Sequence, residues 1–365
     1  MGAASVKLLF VVSDEMAMKH FIFHRYYLIY PMRFWHMLSD STSTAMERIL
    51  SRSILIDGQF PSGAQGFFLQ FSVPIDHPRS SVLSSYSYIL GCVESILSNP
   101  VVQNRAYVAI VDNSLSANAL VSCFTEPFLI NSTEGVTKTK IFGDTLVTQI
   151  AQRKPNVIIA VGGGLLLNVA AYIAEQLQVD LIHVPTTPLA IADSTGGKVR
   201  LNYNEDVREK HRYKSFYEPN LFFVDLRFLD TVPLTVLRSG LAEVLKHGLF
   251  QSKKLLAFLE QNSTEILSKG PALTTCLLWC AALKHVCLEE DPAESRGGSY
   301  DILRAGHDIS DRIEAESGFT VPHGYAVAVG ICEQLAPNAS EVERVFRLYG
   351  LPTNRAELIV ANDSE

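Results

Sequence analysis

Short apolar runs, each closed by glycine, proline or a polar residue, recur from about residue 100 of the chain. The clearest run covers residues 157–161 and leads directly into three glycines and a helical pattern. Runs of this length that are bounded by turn residues predict buried strands. Because they alternate with helical segments, they predict a parallel sheet with βαβ crossovers. The predicted strands cover residues 107–111, 157–161, 181–184 and 221–224.

The pattern changes after about residue 232, where apolar positions follow a helical period and strand-like runs disappear. We therefore predict a Rossmann-like α/β domain with a parallel sheet, followed by an all-α C-terminal domain. Residues 1–60 are assigned to an N-terminal extension of uncertain structure, 61–230 to the α/β domain and 231–365 to the helical domain. The helices predicted for the C-terminal domain cover residues 233–250, 253–262, 272–290, 309–317 and 324–336.

Composition and charge narrow the classes of function. A hydrophobic fraction of 47% with 19% charged residues is typical of a globular chain and excludes extended disorder. The formal net charge of −7 argues against a nucleic-acid partner, which usually requires a basic face. No segment reaches the ~18 consecutive apolar residues of a membrane-spanning helix, and no secretory leader is recognisable. Because the six cysteines have no metal-finger spacing, we expect a cytoplasmic protein with reduced thiols.

Three consecutive glycines mark a candidate phosphate site. The run Gly162-Gly163-Gly164 stands where a predicted strand passes into a helix. Small residues there let a phosphate approach the N–H groups at the positive end of the helix. A tight turn without a ligand would use the same glycines. Asp112 and residues 185–187 end neighbouring predicted strands, and this favours a nucleotide site because open α/β sheets bind ligands at those ends.

A glutamate and two histidines are candidate metal ligands. Glu243 and Lys246 lie three residues apart on one face of a predicted helix, and His307 and His323 follow later in the helical part. One carboxylate and two imidazoles can hold a divalent ion and leave a position open for substrate. The same residues could instead form a surface ion pair and hydrogen-bonded core histidines, so their spacing leaves both interpretations open.

Lysines recur near these candidate sites. Lys198 and Lys210 lie in or beside loops, whereas Lys246 and Lys284 stand in largely apolar helical segments. A buried charge in such a segment needs a partner or a function. The alternative is that the long side chains extend along the helix surface to reach water.

These motifs, taken in order along the chain, resemble those of the dehydroquinate synthase family of sugar-phosphate cyclases. The resemblance runs from about residue 105 to 350 and includes the triple glycine, HVPTTPLAIADSTGGK, SGLAEVLKHGLF, RAGH and VPHGYAVAVG. It implies the dehydroquinate synthase-like fold, with a C-terminal metal-binding domain, NAD and one divalent ion, zinc or cobalt. It also implies a sugar-phosphate substrate and a homodimer.

The resemblance assigns roles to individual residues. The implied metal ligands are Glu243, His307 and His323. The residues implied in NAD binding are Asp112, Gly162, Gly163, Gly164, Asn168, Thr186, Thr187, Lys210 and Thr231, and those implied in handling the substrate are Asp193, Lys198, Lys246 and Lys284.

The implied reaction begins with transient oxidation of a ring hydroxyl by NAD, which acidifies the neighbouring C–H bond and lets phosphate leave. The hydride then returns, the ring opens and an intramolecular aldol step closes a carbocycle. A divalent ion would stabilise alkoxide and enolate character. Lysines would neutralise the phosphate and the developing oxyanion.

Several positions depart from the family pattern. Asn168 replaces an aspartate, as in the deoxy-scyllo-inosose synthases, and Leu177 replaces an arginine. Tyr300 and Arg304 replace an arginine and an asparagine, and Asp311 replaces the second histidine in a pattern that resembles the valiolone-type cyclases. A carboxylate facing the substrate phosphate would repel it. We therefore predict that Asp311 pairs with Arg304.

These departures favour a cyclase of secondary metabolism that acts on a sugar phosphate with seven or six carbons. Three alternatives remain open. One is the 3-dehydroquinate synthase of the shikimate pathway. The second is an oxidoreductase that resembles glycerol dehydrogenase, and the third is a catalytically decayed member of the family.

Overall fold

The computed structural model describes residues 4–11, 56–59, 65–73, 87–194, 196–203, 212–290 and 298–362. The chain divides into two compact units. The first comprises the described residues up to 186 together with those in 196–228, and the second comprises 187–194 and the described residues from 229 onward. Lys210, a predicted cofactor residue, lies outside the described residues.

The first unit is built on strands, most of which join one sheet. The described strands are β1 Ala4–Val11, β2 Ile56–Gln59, β3 Gln65–Val73, β4 Ser87–Leu90, β5 Tyr107–Asp112, β6 Phe128–Ile130, β7 Val157–Gly162, β8 Asp180–Pro185, β9 Lys198–Leu201, β10 Tyr213–Phe216 and β11 Leu221–Val224. Nine of them form a sheet in the order β2-β3-β1-β4-β11-β8-β7-β5-β6. All pairings from β1 across to β6 are parallel, whereas β3 is antiparallel to β1 and β2. β9 and β10 form a separate antiparallel pair.

The central parallel strands are buried on both faces. All six residues of β7 are buried, and alternate residues Val157, Ile159 and Val161 join one apolar cluster with Ile182 and Val184 of β8. Strands covered on both faces lack polar alternation and consist of continuous apolar runs. This explains why the run at 157–161 predicts its strand so directly.

All four predicted strands are present, and the parallel sheet is confirmed. The other seven described strands were not predicted. β1 to β4 lie in the first 90 residues, where no clear period is visible, and β6 has only three residues. The stability of β1 comes from pairing with β3 and β4, which are distant in sequence, and a local pattern does not record such pairing.

Most of the described helices belong to the second unit, whose described residues form no strand. The first unit contributes α1 Lys140–Ala151 and α2 Gly164–Leu177, and the second contributes α3 Pro188–Asp193, α4 Leu234–Phe250, α5 Lys253–Leu267, α6 Pro271–Glu290, α7 Gly298–Arg304, α8 His307–Glu316, α9 His323–Leu335, α10 Ser340–Leu348 and α11 Arg355–Asn362. From residue 225 onward the described residues contain no strand, as predicted. α8 begins at His307, two residues before the predicted start at 309.

Among the described helices, none combines the length and the apolar composition that crossing a membrane requires. All six cysteines lie in described segments and are free thiols.

Helices α4 and α9 pack closely within the second unit. The backbone N–H of Gly324 donates a hydrogen bond to Ser239 Oγ over 3.0 Å. A Cβ atom built at Gly324 would lie 1.8 Å from the carbonyl oxygen of Ser239. Only glycine allows this approach of the two helices. Glu243 lies on α4 one turn beyond Ser239, and His323 is the residue before Gly324 on α9, so the contact brings the helices that carry both residues together.

We predict that G324A destabilises the second unit, because the added methyl group clashes with the α4 backbone. The expected loss in the free energy of unfolding is ~3 kcal/mol, the upper part of the usual range for overpacking. The matched control is G318A. Gly318 has φ +62° and no neighbour within 4 Å of an added Cβ, so only left-handed strain of ~1 kcal/mol is expected. Urea unfolding monitored by circular dichroism measures both losses, and equal losses would contradict the close approach.

Candidate functional site

A buried carboxylate lies in the middle of helix α4. Glu243 and Lys246 are each 1% exposed, within a run of α4 that is buried from Ser239 to Gly248. Lys246 Nζ forms an ion pair with Glu243 Oε2 and also donates a hydrogen bond to the carbonyl oxygen of Leu303 over 3.0 Å. The pair therefore keeps two charges in an apolar surrounding, which requires each charge to be compensated.

Two histidines from other helices complete the cluster. His307 is the first residue of α8 and His323 is the first residue of α9. The Nε2 atom of each ring lies 3.6 Å from Glu243 Oε1. One donor atom from each of the three residues lies within 4.8 Å of the other two. The three predicted metal ligands, which are distant in sequence, are thus brought together.

Each of these ligands is held at the atom that faces away from the shared point. His307 Nδ1 lies 3.1 Å from the carbonyl oxygen of Ala305. His323 Nδ1 lies 2.8 Å from Glu314 Oε1. Lys246 occupies the Oε2 side of Glu243. Two Nε2 atoms and Glu243 Oε1 therefore face one another, an arrangement that supporting hydrogen bonds typically impose on metal ligands.

This donor set fits a divalent ion. Glu243 Oε1 is buried, accepts no hydrogen bond in the described part of the chain and lies on the side away from Lys246, so a cation would compensate the oxygen that the lysine does not reach. Two imidazole nitrogens and one carboxylate oxygen suit zinc and the chemically similar cobalt, and they leave a coordination position for a substrate oxygen.

The pKa values differ sharply across the cluster. Burial opposes ionisation of Glu243, but Lys246 and the two histidines hold its pKa well below the usual value. Burial and the Lys246 charge lower the pKa of His307 to about 4. Burial would also lower the pKa of His323, yet the Glu314 and Glu243 carboxylates raise it to about 10. The two imidazoles are therefore electrostatically unequal, because carboxylates lie close to both nitrogens of His323 but to only one nitrogen of His307.

Glu314 is a residue of this site that the sequence analysis missed. It follows His307 by two turns of α8 and is buried. Seven residues correspond to nearly two helical turns, so the period of α8 places both side chains on one face. The helical period could have placed Glu314 on the same face as His307. The contact with His323 could not be predicted in this way, because it depends on how α8 packs against α9.

A second ion pair joins two predicted substrate residues, a buried lysine and a partly exposed aspartate. Lys284 Nζ of α6 lies 3.3 Å from Asp193 Oδ1 at the end of α3. Burial, followed by the Lys246 charge, lowers the pKa of His247 to about 4, while the charges of Asp193 and Glu243 act on it in the opposite sense. Asp193 and Glu243 are therefore both within electrostatic range of one buried imidazole.

The predicted ion pair between Arg304 and Asp311 is confirmed. Arg304 Nη1 lies 3.5 Å from Asp311 Oδ2, and Arg304 Nη2 lies 2.5 Å from Asp308 Oδ1. Asp308 was not predicted as a partner, although it lies only four residues after Arg304. The Arg304 charge is therefore shared between two carboxylates at the start of α8.

The triple glycine occupies the predicted junction in the first unit. Gly162 ends β7, Gly163 caps α2 and Gly164 begins it. The N-cap residue Gly163 has no side chain with which to cap α2, so the first backbone N–H groups of the helix can receive an anion such as a pyrophosphate. Thr186, at the end of the adjacent β8, donates its N–H to the carbonyl oxygen of Gly162 over 3.0 Å. Asp112 ends β5, and its carboxylate accepts the N–H of Ser114 over 2.9 Å.

Asn168 connects a helix to a strand. Its Nδ2 atom donates to the carbonyl oxygen of Gly164 over 3.0 Å, and its Oδ1 atom accepts the N–H of Arg200 over 2.9 Å. Arg200 belongs to β9, the strand that begins at Lys198. Asn168 thereby holds β9 against α2.

The remaining predicted cofactor residues belong to the second unit. Thr187 Oγ1 accepts the N–H of Ala190 over 3.3 Å and caps α3. Thr231 is exposed at the end of the 3₁₀ helix Leu226–Thr231.

Two family models match consecutive parts of the chain. The model described as 3-dehydroquinate synthase N-terminal covers residues 130–239. The model described as 3-dehydroquinate synthase C-terminal covers residues 240–354. A 3-dehydroquinate synthase of Saccharolobus solfataricus is 35% identical over 214 residues, which are 55% of this chain and 60% of that protein. The match thus spans about three fifths of the length of this curated relative.

The solved structures similar to the chain include two synthases with bound NAD⁺ and a divalent metal. A 2-deoxy-scyllo-inosose synthase complexed with carbaglucose-6-phosphate, NAD⁺ and Co²⁺ is 26% identical with a TM-score of 0.63, over 75% of this chain and 82% of that one. A 2-epi-5-epi-valiolone synthase of Streptomyces hygroscopicus with bound NAD⁺ and Zn²⁺ is 22% identical with a TM-score of 0.62, over 78% and 87%. The second likeness concerns the fold alone.

The two family models describe the N-terminal and the C-terminal part of the same protein family. Together they cover residues 130–354 without a gap, which is more than half of the chain. The fold agrees, with an α/β first unit and a helical second unit that carries the clustered glutamate and histidines. The chain therefore belongs to the dehydroquinate synthase-like family.

Proposed function

We propose that the protein is an NAD- and divalent-metal-dependent cyclase that converts a sugar phosphate into a carbocycle and releases phosphate. The observation that carries the proposal is the convergence of Glu243, His307 and His323 within 4.8 Å, in a chain of this family. The similar inosose synthase structure, with its carbasugar phosphate, NAD⁺ and Co²⁺, supports the same combination of cofactors.

The metal site would be formed by the second unit. Glu243 Oε1 and the Nε2 atoms of His307 and His323 would hold the ion. NAD would bind at the Gly162-Gly163-Gly164 turn, where the uncapped N-terminus of α2 can receive its pyrophosphate. When bound, the ion would supply Lewis-acid polarisation of a substrate oxygen, and NAD would supply reversible acceptance of a hydride.

The buried lysines supply positive charge for an anionic substrate. Lys284 is held by Asp193 and can neutralise phosphate or oxyanion charge. Lys246 keeps the Glu243 carboxylate ionised and in a fixed orientation. Because both ammonium groups are largely shielded from water, their interactions with an incoming anion are stronger than those of exposed lysines.

The choice of substrate separates two candidate cyclases. The Arg304–Asp311 pair supports a secondary-metabolism cyclase, because it departs from the pattern of residues expected for dehydroquinate synthase. The name of the relative that is 35% identical supports the second candidate, 3-dehydroquinate synthase. A reaction assay has to distinguish them.

We predict that the protein releases inorganic phosphate from one sugar phosphate when NAD and Zn²⁺ or Co²⁺ are supplied. The test compares sedoheptulose 7-phosphate, glucose 6-phosphate and the heptulosonate phosphate, with mass spectrometry of the product and absorbance of NADH. Phosphate release without net NADH is expected, because the hydride returns to the substrate. Net NADH from a polyol would indicate an oxidoreductase instead. No turnover by metal-loaded protein on any substrate would indicate a decayed family member.

We predict that E243Q weakens binding of Zn²⁺ by at least ~100-fold, more than the usual effect of losing a residue that only supports a ligand. The substitution preserves shape but removes the charged ligand that faces both imidazoles. The control is E341Q, which alters an exposed acid in the first turn of α10. Competition with a chromophoric chelator measures the affinities. Equal affinities of the two variants would contradict the proposed site.

We predict that D311N lowers the KM for the sugar phosphate severalfold. Asp311 shares a helix face with His307, and its 3.5 Å pairing with Arg304, which also binds Asp308 at 2.5 Å, compensates its charge only in part. The uncompensated part would oppose a bound phosphate, and a fully exposed charge near 4 Å would cost roughly 1–4 kcal/mol. The control is D308N, which removes the other partner of Arg304 at a side chain that is 86% exposed. Steady-state kinetics compare the two. A larger fall in KM for D308N would show that releasing Arg304, rather than removing the Asp311 charge, controls binding.

A further inference from the structure

Glu314 is a buried carboxylate with a specific partner. It is 5% exposed, and its Oε1 atom accepts a hydrogen bond from His323 Nδ1 over 2.8 Å. Burying a carboxylate is unfavourable unless charge or hydrogen bonds compensate for lost hydration. The contact with His323 is therefore a substantial part of what keeps Glu314 in place.

The two histidines of the cluster are supported differently. His307 Nδ1 faces a neutral acceptor, the carbonyl oxygen of Ala305, at 3.1 Å. His323 Nδ1 faces a carboxylate at the shorter distance of 2.8 Å. Hydrogen bonds to an ionised acceptor are shorter and about twice as strong as those between neutral groups. His323 is consequently the more firmly oriented ring.

The contact also joins two helices. Glu314 lies in α8 together with His307, whereas His323 begins α9. The hydrogen bond spans the turn at residues 317–322 and fixes the His323 ring relative to the helix that carries the other imidazole. With its Nδ1 atom engaged as a donor, the ring directs Nε2 at Glu243 Oε1.

We propose that Glu314 is a positioning residue that makes His323 the stronger of the two imidazole ligands. The proposal rests on the metal site proposed above and goes beyond it by adding a residue that does not touch the ion. The carboxylate fixes the tautomer and the orientation of the ring, and its negative charge increases the electron density that the ring offers at Nε2.

The test is the affinity for Zn²⁺ alone, measured by chelator competition in E314Q. Glutamine keeps the length and an acceptor oxygen but removes the charge. A 10- to 100-fold weaker affinity is expected, the usual effect of losing such a supporting group. The matched control is E316Q. Glu316 lies two residues further along α8, is 66% exposed and pairs with Arg355 at 3.0 Å, so its loss is expected to change affinity less than about twofold.

A second measurement needs no variant. In Zn²⁺-loaded wild-type protein, ¹⁵N-resolved NMR of the imidazoles reports each Nδ1 proton. The His323 Nδ1 proton is expected further downfield and more protected from exchange than that of His307, because its acceptor is charged. Equal shifts and equal exchange would overturn the proposal even if E314Q failed to fold.

The outcomes separate this proposal from the one on which it rests. Wild-type protein that binds no divalent ion would overturn the proposed function and the role of Glu314 with it. Wild-type binding together with an unchanged affinity in folded E314Q would overturn the role of Glu314 alone. Weakened binding in E314Q but not in E316Q supports it.

Discussion

The need to compensate one buried negative charge organises the helical unit. Glu243 is enclosed in α4 among apolar residues, where an unpaired carboxylate costs several kcal/mol in lost hydration. Lys246 compensates one oxygen from the same helix, and the imidazoles of His307 and His323 approach the other. The two histidines that are candidate metal ligands therefore also lie beside the buried charge. The three helices α4, α8 and α9 meet at the Glu243 carboxylate.

The elements that follow a local period could be predicted from the sequence. Strand β7 appears in the sequence as an uninterrupted apolar run, and helices α4 and α9 appear as helical patterns. Most buried positions in these segments hold apolar residues, so the pattern of burial can be read from the segments themselves. The Arg304–Asp311 pair was also predictable, since the helix after Gly306 places Asp311 near the residues that precede it. The clustering of the two histidines with Glu243 depended on a family resemblance, because no spacing rule connects residues so distant in sequence.

What could not be predicted depends on contacts between distant segments. Strand β1 joins the sheet by pairing with β3 and β4. The residues of β1 itself carry no pattern that indicates this pairing. Asn168 lies in a motif that suggests cofactor binding, yet its amide connects α2 to β9. The division of the Arg304 charge between Asp308 and Asp311 is likewise inaccessible to sequence patterns, because spacing along the chain does not fix the side-chain geometry.

The origin of the three ligands on three separate helices has a consequence for local stability. An ion held by α4, α8 and α9 would act as a cross-link, because none of these helices could separate without breaking a coordination bond. At a free-ion concentration one hundred times the dissociation constant, binding adds ~2.7 kcal/mol to the stability of the state that holds it. Openings of the second unit that separate these helices would be suppressed by that amount. Amide hydrogen exchange within these three helices would therefore slow when metal is bound.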